Sequence, residues 1–259
     1  MTLRRIAFTF FLLLIPFSSR SQTIQNPQAV ALATQALVAL TGTTQVNDIT
    51  LTGTAIRTAG SDVENGSVTL KALGSFYSRL DASLDSGTRS EIRNLSSGVP
   101  QGYWLAPGNS FTGMATQNTI TDAPWFFPAL SILSQLGNPN LIVSYVGPET
   151  RVGVAVQHIS FAFQVPSDST GLFQRLSTED LYLDPSTFLP VALTFNAHPD
   201  NDEGTNIAVE IDFSNYQVVS GVQTPFHVQK LMNGTLFLDL TIQSAVLNSG
   251  LTSSEFLPN

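Results

Sequence analysis

The sequence predicts an α+β protein in which an antiparallel sheet with one apolar face is covered by helices on that face. Three observations carry this reading. Apolar and polar residues alternate with a period of two over most of the chain after Ile49. Two apolar segments of helical length stand outside that pattern, one near the N-terminus and one in the middle. The elements come as runs of strands, a meander, without the regular strand–helix alternation of a parallel sheet.

Residues 1–21 read as a signal peptide. Arg4 and Arg5 give a basic start, Ile6 to Phe17 an apolar run, and Ser19-Arg20-Ser21 a small-x-small cleavage site before Gln22. The run is short for a membrane span, although a retained anchor is the alternative. No later segment approaches the roughly 18 uninterrupted apolar residues of a spanning helix. A periplasmic or secreted protein is therefore expected. With no Cys in the chain, lipid anchoring through cysteine, disulfides, thiol catalysis and thiolate metal sites are all excluded.

The formal net charge of -8 becomes -11 once the three Arg of residues 1–21 are set aside. Such acidity argues against nucleic acid and anionic headgroup surfaces as partners. Charged residues make up 12% and hydrophobic ones 42%, which implies a neutral polar surface and an ample core rather than disorder. Residues 22–259 are expected to form one domain, with no linker or fixed-period repeat to divide them.

Asn26-Pro27 supplies a capping side chain and a proline at the first helical position. Ala29, Leu32, Ala33, Ala36, Leu37 and Leu40 follow at helical spacing until Gly42. Ile49, Leu51, Gly53 and Ala55, then Val68, Leu70 and Ala72, read as two strands joined across a Gly60 to Gly66 turn. Phe76, Leu80, Ala82 and Leu84 form the apolar face of a third, which closes at Ser86-Gly87 before Arg89 to Asn94. Tyr103-Trp104-Leu105 suggests a short strand. Thr121-Asp122-Ala123-Pro124 then reads as the cap of a second helix, apolar almost all round, through Trp125, Phe126, Phe127, Leu130 and Leu133 to Gly137-Asn138-Pro139.

The two-residue period returns in Val152, Val154 and Val156, in Ile159, Phe161, Phe163 and Val165, and in Val191, Leu193 and Phe195. It continues in Ile207 to Phe213 and Leu236 to Ile242, with one or two helical turns expected within Asp168 to Ser177.

Signatures of catalysis are absent. There is no Gly-x-Ser-x-Gly elbow, no His-Glu-x-x-His and no Gly-rich phosphate loop, and His158, His198 and His227 are far apart. His198-Pro199-Asp200-Asn201-Asp202-Glu203-Gly204 offers oxygen ligands for Ca²⁺ but lacks the spacing of a calcium loop, so a solvated acidic turn is the better reading. Asn65-Gly66-Ser67, Asn94-Leu95-Ser96 and Asn233-Gly234-Thr235 match a glycosylation pattern too short to assign a role. Neither an enzyme nor a cofactor or metal protein is expected.

The last third carries a more specific signal. Leu183-Asp184-Pro185-Ser186-Thr187-Phe188-Leu189-Pro190, Phe213-Ser214-Asn215-Tyr216 through Gly221 to Pro225, and Asn248 with Phe256-Leu257-Pro258 resemble the recurring phrases of the LolA-like family of lipoprotein carriers and their envelope relatives. The resemblance implies a strongly curved antiparallel sheet, an incomplete β-barrel whose concave apolar face is closed by helices and can hold acyl chains. It also implies that an early-strand arginine, here Arg79, bonds to the helical lid. The expected ligand-binding or lid residues are thus Trp125, Phe126, Phe127, Leu130, Leu133 and Arg79. Two functions follow: binding of a lipid or other apolar ligand, as in a lipid or lipoprotein carrier, or a non-catalytic interaction or sensor module that fills its own core and docks an envelope protein.

Overall fold

In the computed structural model, residues 25–121 and 123–258 are described. The signal peptide expected over residues 1–21, and Asp122 of the expected second-helix cap, lie outside them. Helix α1 (Pro27–Thr41) starts where the sequence places it. The Asn26 side chain accepts from the N–H groups of Gln28 and Ala29 at 3.0 and 3.1 Å, and the Gly42 N–H closes the helix on the Val38 carbonyl. Its small buried face, Ala29, Ala33 and Ala36 with Leu40, lets the helix lie close against the sheet.

Thirteen strands among the described residues form a single antiparallel sheet. They are β1 (Asp48–Ala59), β2 (Asp62–Leu73), β3 (Tyr77–Leu84), β4 (Gly87–Ser96), β5 (Val99–Leu105), β6 (Thr112–Gly113), β7 (Leu141–Arg151), β8 (Val154–Phe163), β9 (Glu179–Leu183), β10 (Pro190–Ala197), β11 (Ile207–Val219), β12 (Val222–Met232) and β13 (Thr235–Leu247). The order β6-β5-β4-β3-β2-β1-β13-β12-β11-β10-β9-β8-β7 joins the two meanders where β1 pairs with β13. The sheet does not close, and β6 and β7 are its edges.

One face is apolar over most of the sheet. Ile49, Leu51, Leu70, Phe161, Leu181, Leu193, Ile211 and Leu240 share one core cluster with α1 and the central segment. Two glycines on that face let neighbouring strands crowd together. A Cβ at Gly53 would stand 2.1 Å from the Thr241 carbonyl oxygen, and one at Gly66 1.9 Å from that of Ser83. Gly66 accordingly lies inside β2, and the expected broad turn is a tight one at Gly60-Ser61.

The central segment departs furthest from expectation. In place of one apolar helix it holds two 3-10 turns, Pro128–Leu130 and Ile132–Gln135. Pro128 has no N–H to give Pro124, its ring clashes with the preceding helical turn, and Phe127 before it is driven to extended backbone (φ -137°). The bonds that form are three-residue ones, Phe127 N–H to Pro124 O at 2.8 Å and Leu130 N–H to Phe127 O at 3.1 Å. Ser131 then breaks the run with extended backbone, its hydroxyl donating to Pro128 O at 2.7 Å.

Val152 occupies the left-handed turn between β7 and β8, fully exposed, rather than a strand position. That hairpin bends at Gly147 and folds against the outer face, where Arg151 stacks 3.9 Å from the Tyr182 ring centroid and pairs with Glu210. The short helical turn expected after Asp168 is α2 (Leu172–Leu176). At edge β7, the Gln25 amide donates to Leu141 O and accepts the Val143 N–H at 3.2 Å, and the Asn26 N–H reaches Val143 O at 3.3 Å.

Candidate functional site

Strand register decides which side chains face the core. Leu80, Ala82 and Leu84 point inward from β3, and Leu80 stands opposite Glu91, Ala82 opposite Arg89, and Ser78 opposite Arg93. Strand β4 therefore turns Arg89, Glu91 and Arg93 toward the concave side, while Ser90, Ile92 and Asn94 face outward. From across the sheet, Lys230 of β12 enters the same space opposite Leu238.

These charges form two buried groups. Glu91 receives Lys230 Nζ at 3.5 Å and Arg93 Nη2 at 3.4 Å, and the Trp125 indole donates to the same carboxylate. Burial works to raise the Glu91 pKa, but the Lys230 and Arg93 charges outweigh it and hold the carboxyl below its ordinary range. The Lys230 ammonium is pushed down by burial, partly offset by Glu91, and lies 4.4 Å from the Trp125 ring centroid. Nearby, Glu64 takes Arg57 at 2.8 Å and Arg89 at 3.1 Å. The Ser86 hydroxyl, then Arg89, lower its pKa to about 2 against the effect of burial.

Two cavities adjoin these groups, of about 240 and 280 Å³. Their walls share Glu91, Trp104, Lys230 and Phe237, so they are neighbours on one side of the central segment. The first continues along Leu80, Leu84 and Trp125, the second along Phe195 and Val209 to Arg93 and His198. Trp104, 41% exposed, stands at the opening. Each alone falls just below the roughly 300–1,000 Å³ of small-molecule sites.

The residues singled out from the sequence divide. Trp125, Phe126, Phe127, Leu130 and Leu133 are all buried and packed as a plug against the apolar face; of these, Trp125 alone reaches the cavities, lining the first and not the second. Arg79 is on the other face of the sheet. It pairs with Asp81 at 2.6 Å and donates to the carbonyls of Glu255 and Leu257, so it ties down the C-terminal turn Ser253–Phe256 rather than the central segment. Its partner across β3 and β4 is Ile92, and the two-residue period carries it outward with Tyr77 and Asp81. Arg93, by contrast, faces the concave side, and its Nη1 donates to the carbonyl of Asn118 in the loop before the plug.

Sequence reasoning missed Arg89, Glu91, Arg93 and Lys230. A signal was present: Arg-x-Glu-x-Arg at strand spacing, in a meander whose preceding strand is apolar on the matching face. The acidic turn His198 to Gly204 engages its own groups, with Asp202 accepting from the Gly204 N–H and the Thr205 hydroxyl. Among the described residues no three His, Asp or Glu are grouped to hold a metal.

No protein-family model matches the sequence, and no curated protein matches it. Solved structures do. An outer-membrane lipoprotein-sorting protein domain from Vibrio parahaemolyticus superposes with a TM-score of 0.56 at 12% identity, over 88% of this chain and 96% of that one. A LolA superfamily protein from Nitrosomonas europaea gives 0.55 at 11%, over 88% and 97%. The fold is LolA-like. A DUF1329 family protein from Desulfovibrio piger, at 0.58 and 12% identity over 89% of this chain and 96% of that one, shares it. In this LolA-like sheet the apolar face, the plug and the two cavities occupy the concave side, and no helix among the described residues is long and apolar enough to cross a membrane.

Proposed function

We propose that the protein is a non-catalytic envelope protein, exported after removal of residues 1–21, whose single half-barrel domain over residues 22–259 binds a lipid or acyl chain and carries it through the periplasm or outside the cell. The observation that carries this reading is the pair of adjoining, aromatic-walled cavities that the plug leaves unfilled on the concave side. The mechanism is burial. Each methylene that leaves water for the cavity contributes about 0.8 kcal/mol, and a shift of the loop that holds Asn118 and the plug admits or releases the chain.

Close packing of Phe126, Phe127, Leu130 and Leu133 favours a second reading, a self-filled interaction or sensor module that docks another envelope protein. Native mass spectrometry of protein purified from its own envelope, followed by organic extraction, separates the two. A stoichiometric lipid is the result expected of a carrier. An empty protein that also takes up no fluorescent fatty acid would leave the docking module as the better account.

A further inference from the structure

The chain is acidic overall, yet its cations are not spread evenly. Of the eight Lys and Arg that follow residue 21, four line the two cavities: Arg57, Arg89, Arg93 and Lys230. Two buried carboxylates, Glu64 and Glu91, answer these four charges, with Asp62 and Asp200 exposed at the periphery. The lining is thus electropositive within an electronegative protein, an arrangement that desolvates cations at a cost no apolar ligand would offset.

A second, independent observation marks one end of this space. Arg93 and His198, 7% and 4% exposed, each keep a buried side-chain nitrogen without a hydrogen-bond partner, Nε of Arg93 and Nε2 of His198. Both residues line the same cavity. Buried polar groups are nearly always satisfied, and an orphan of this kind calls for a missing partner. Asn118 fixes the two together. Its carbonyl takes Arg93 Nη1, while its side chain accepts the His198 N–H at 2.8 Å and donates to the His198 carbonyl at 2.7 Å. His198 Nδ1 faces the Thr205 carbonyl at 2.9 Å and must carry the proton there, which leaves Nε2 free for one more hydrogen bond.

We propose that the site takes a long-chain carboxylate, its headgroup held by Arg93, His198 and Lys230 and its tail laid along Leu80, Leu84, Trp125 and Phe237, in preference to neutral lipids. This rests on the acyl-binding reading and specifies the ligand class. A singly charged planar carboxylate matches the guanidinium Nε–H, and one proton taken up from solvent on binding, held between the second carboxylate oxygen and His198 Nε2, completes the second hydrogen bond. The tail lies where Trp104 opens the cavity to solvent.

The test compares dodecanoate with methyl dodecanoate, and with acetate as a headgroup alone, by isothermal titration calorimetry on purified, delipidated protein. Dodecanoate should bind at least about tenfold more tightly than its ester, the difference of one charge-assisted hydrogen bond. Acetate should bind far more weakly than dodecanoate. In Arg93→Gln and in His198→Leu the preference of acid over ester should fall toward unity. Equal affinity of the wild-type protein for acid and ester overturns the selection and leaves acyl binding standing. If neither ligand binds, both readings fall. Acetate binding as tightly as dodecanoate overturns the tail assignment, and each outcome is read on the wild-type protein even where a variant does not fold.

Discussion

Replacing Glu91 by Gln tests whether the concave charges are a coupled buried unit. The side chain keeps its shape, but Lys230 at 3.5 Å and Arg93 at 3.4 Å lose the anion that lets them lie side by side at 12% and 8% side-chain exposure. Removal of one member of a buried ion pair costs about 3–5 kcal/mol because the remaining charge stays out of water. For a domain of this size that corresponds to a fall in Tm of roughly 6–20 °C. The assay is equilibrium urea unfolding followed by the fluorescence of the chain's two tryptophans, of which Trp125 touches both Glu91 and Lys230 and Trp104 stands at the cavity opening. Two further readouts identify the cause. In Glu91→Gln/Lys230→Met the loss should be clearly smaller than the sum of the single losses, since the uncompensated ammonium is gone. The Glu91 carboxyl is held below its ordinary range in the folded state, so its contribution is fully present above the unfolded value of about 4.3 and is lost as pH falls through the folded value. The gap between wild type and variant should therefore narrow below about pH 4. A variant within 1 kcal/mol of wild type at pH 7 would refute the reasoning.

Burial, then the neighbouring Glu210, pushes the Asp212 carboxyl up to about 6 against the pull of Arg151, so the folded state binds this proton more tightly and stability should fall as pH rises from about 4 to 6. Asp212→Asn should remove that step and add about 1 kcal/mol at pH 7, screening included, as measured by urea unfolding across pH. Gly66→Ala should yield insoluble protein, because its Cβ meets backbone at 1.9 Å, whereas Gly137→Ala, with nothing within 4 Å, should stay within about 0.5 kcal/mol of wild type. Arg79→Ala should cost about 1–3 kcal/mol and speed hydrogen exchange in the C-terminal turn with no change in dodecanoate binding, since Arg79 and the cavities lie on opposite faces. Loss of binding there would return Arg79 to the ligand site.

The parts of this molecule that can be read from its sequence are those where one local rule acts alone. Alternation in Ile207 to Phe213 and Leu236 to Ile242 gave strands, and Asn26-Pro27 gave the helix start, because a half-buried strand and a capped helix each leave a period or a cap. The central segment leaves neither. With apolar residues on every side it has no stripe to measure, and Pro124, Pro128 and Ser131 decide its backbone instead. Edge strand β7 escaped notice because Gly147 and Pro148 interrupt its alternation where it bends. The site was hidden for a different reason. Arg89, Glu91 and Arg93 look like the solvent face of a strand until the register with Leu80 and Ala82 turns them inward, and parity equally carries Arg79 out. Register is a long-range property, and composition does not encode it.

The hold of Gln25 on β7 bears on how open that edge of the sheet is to strand addition. An unclosed sheet offers its last strand as a template for any extended chain, and proteins commonly blunt such edges with charge, proline or cover. Here the residue before the helix cap imitates one rung of a neighbouring strand, meeting both Leu141 O and the Val143 N–H with one amide. A chain begun at Pro27 would keep the core contacts of α1 yet leave that rung open to strand addition.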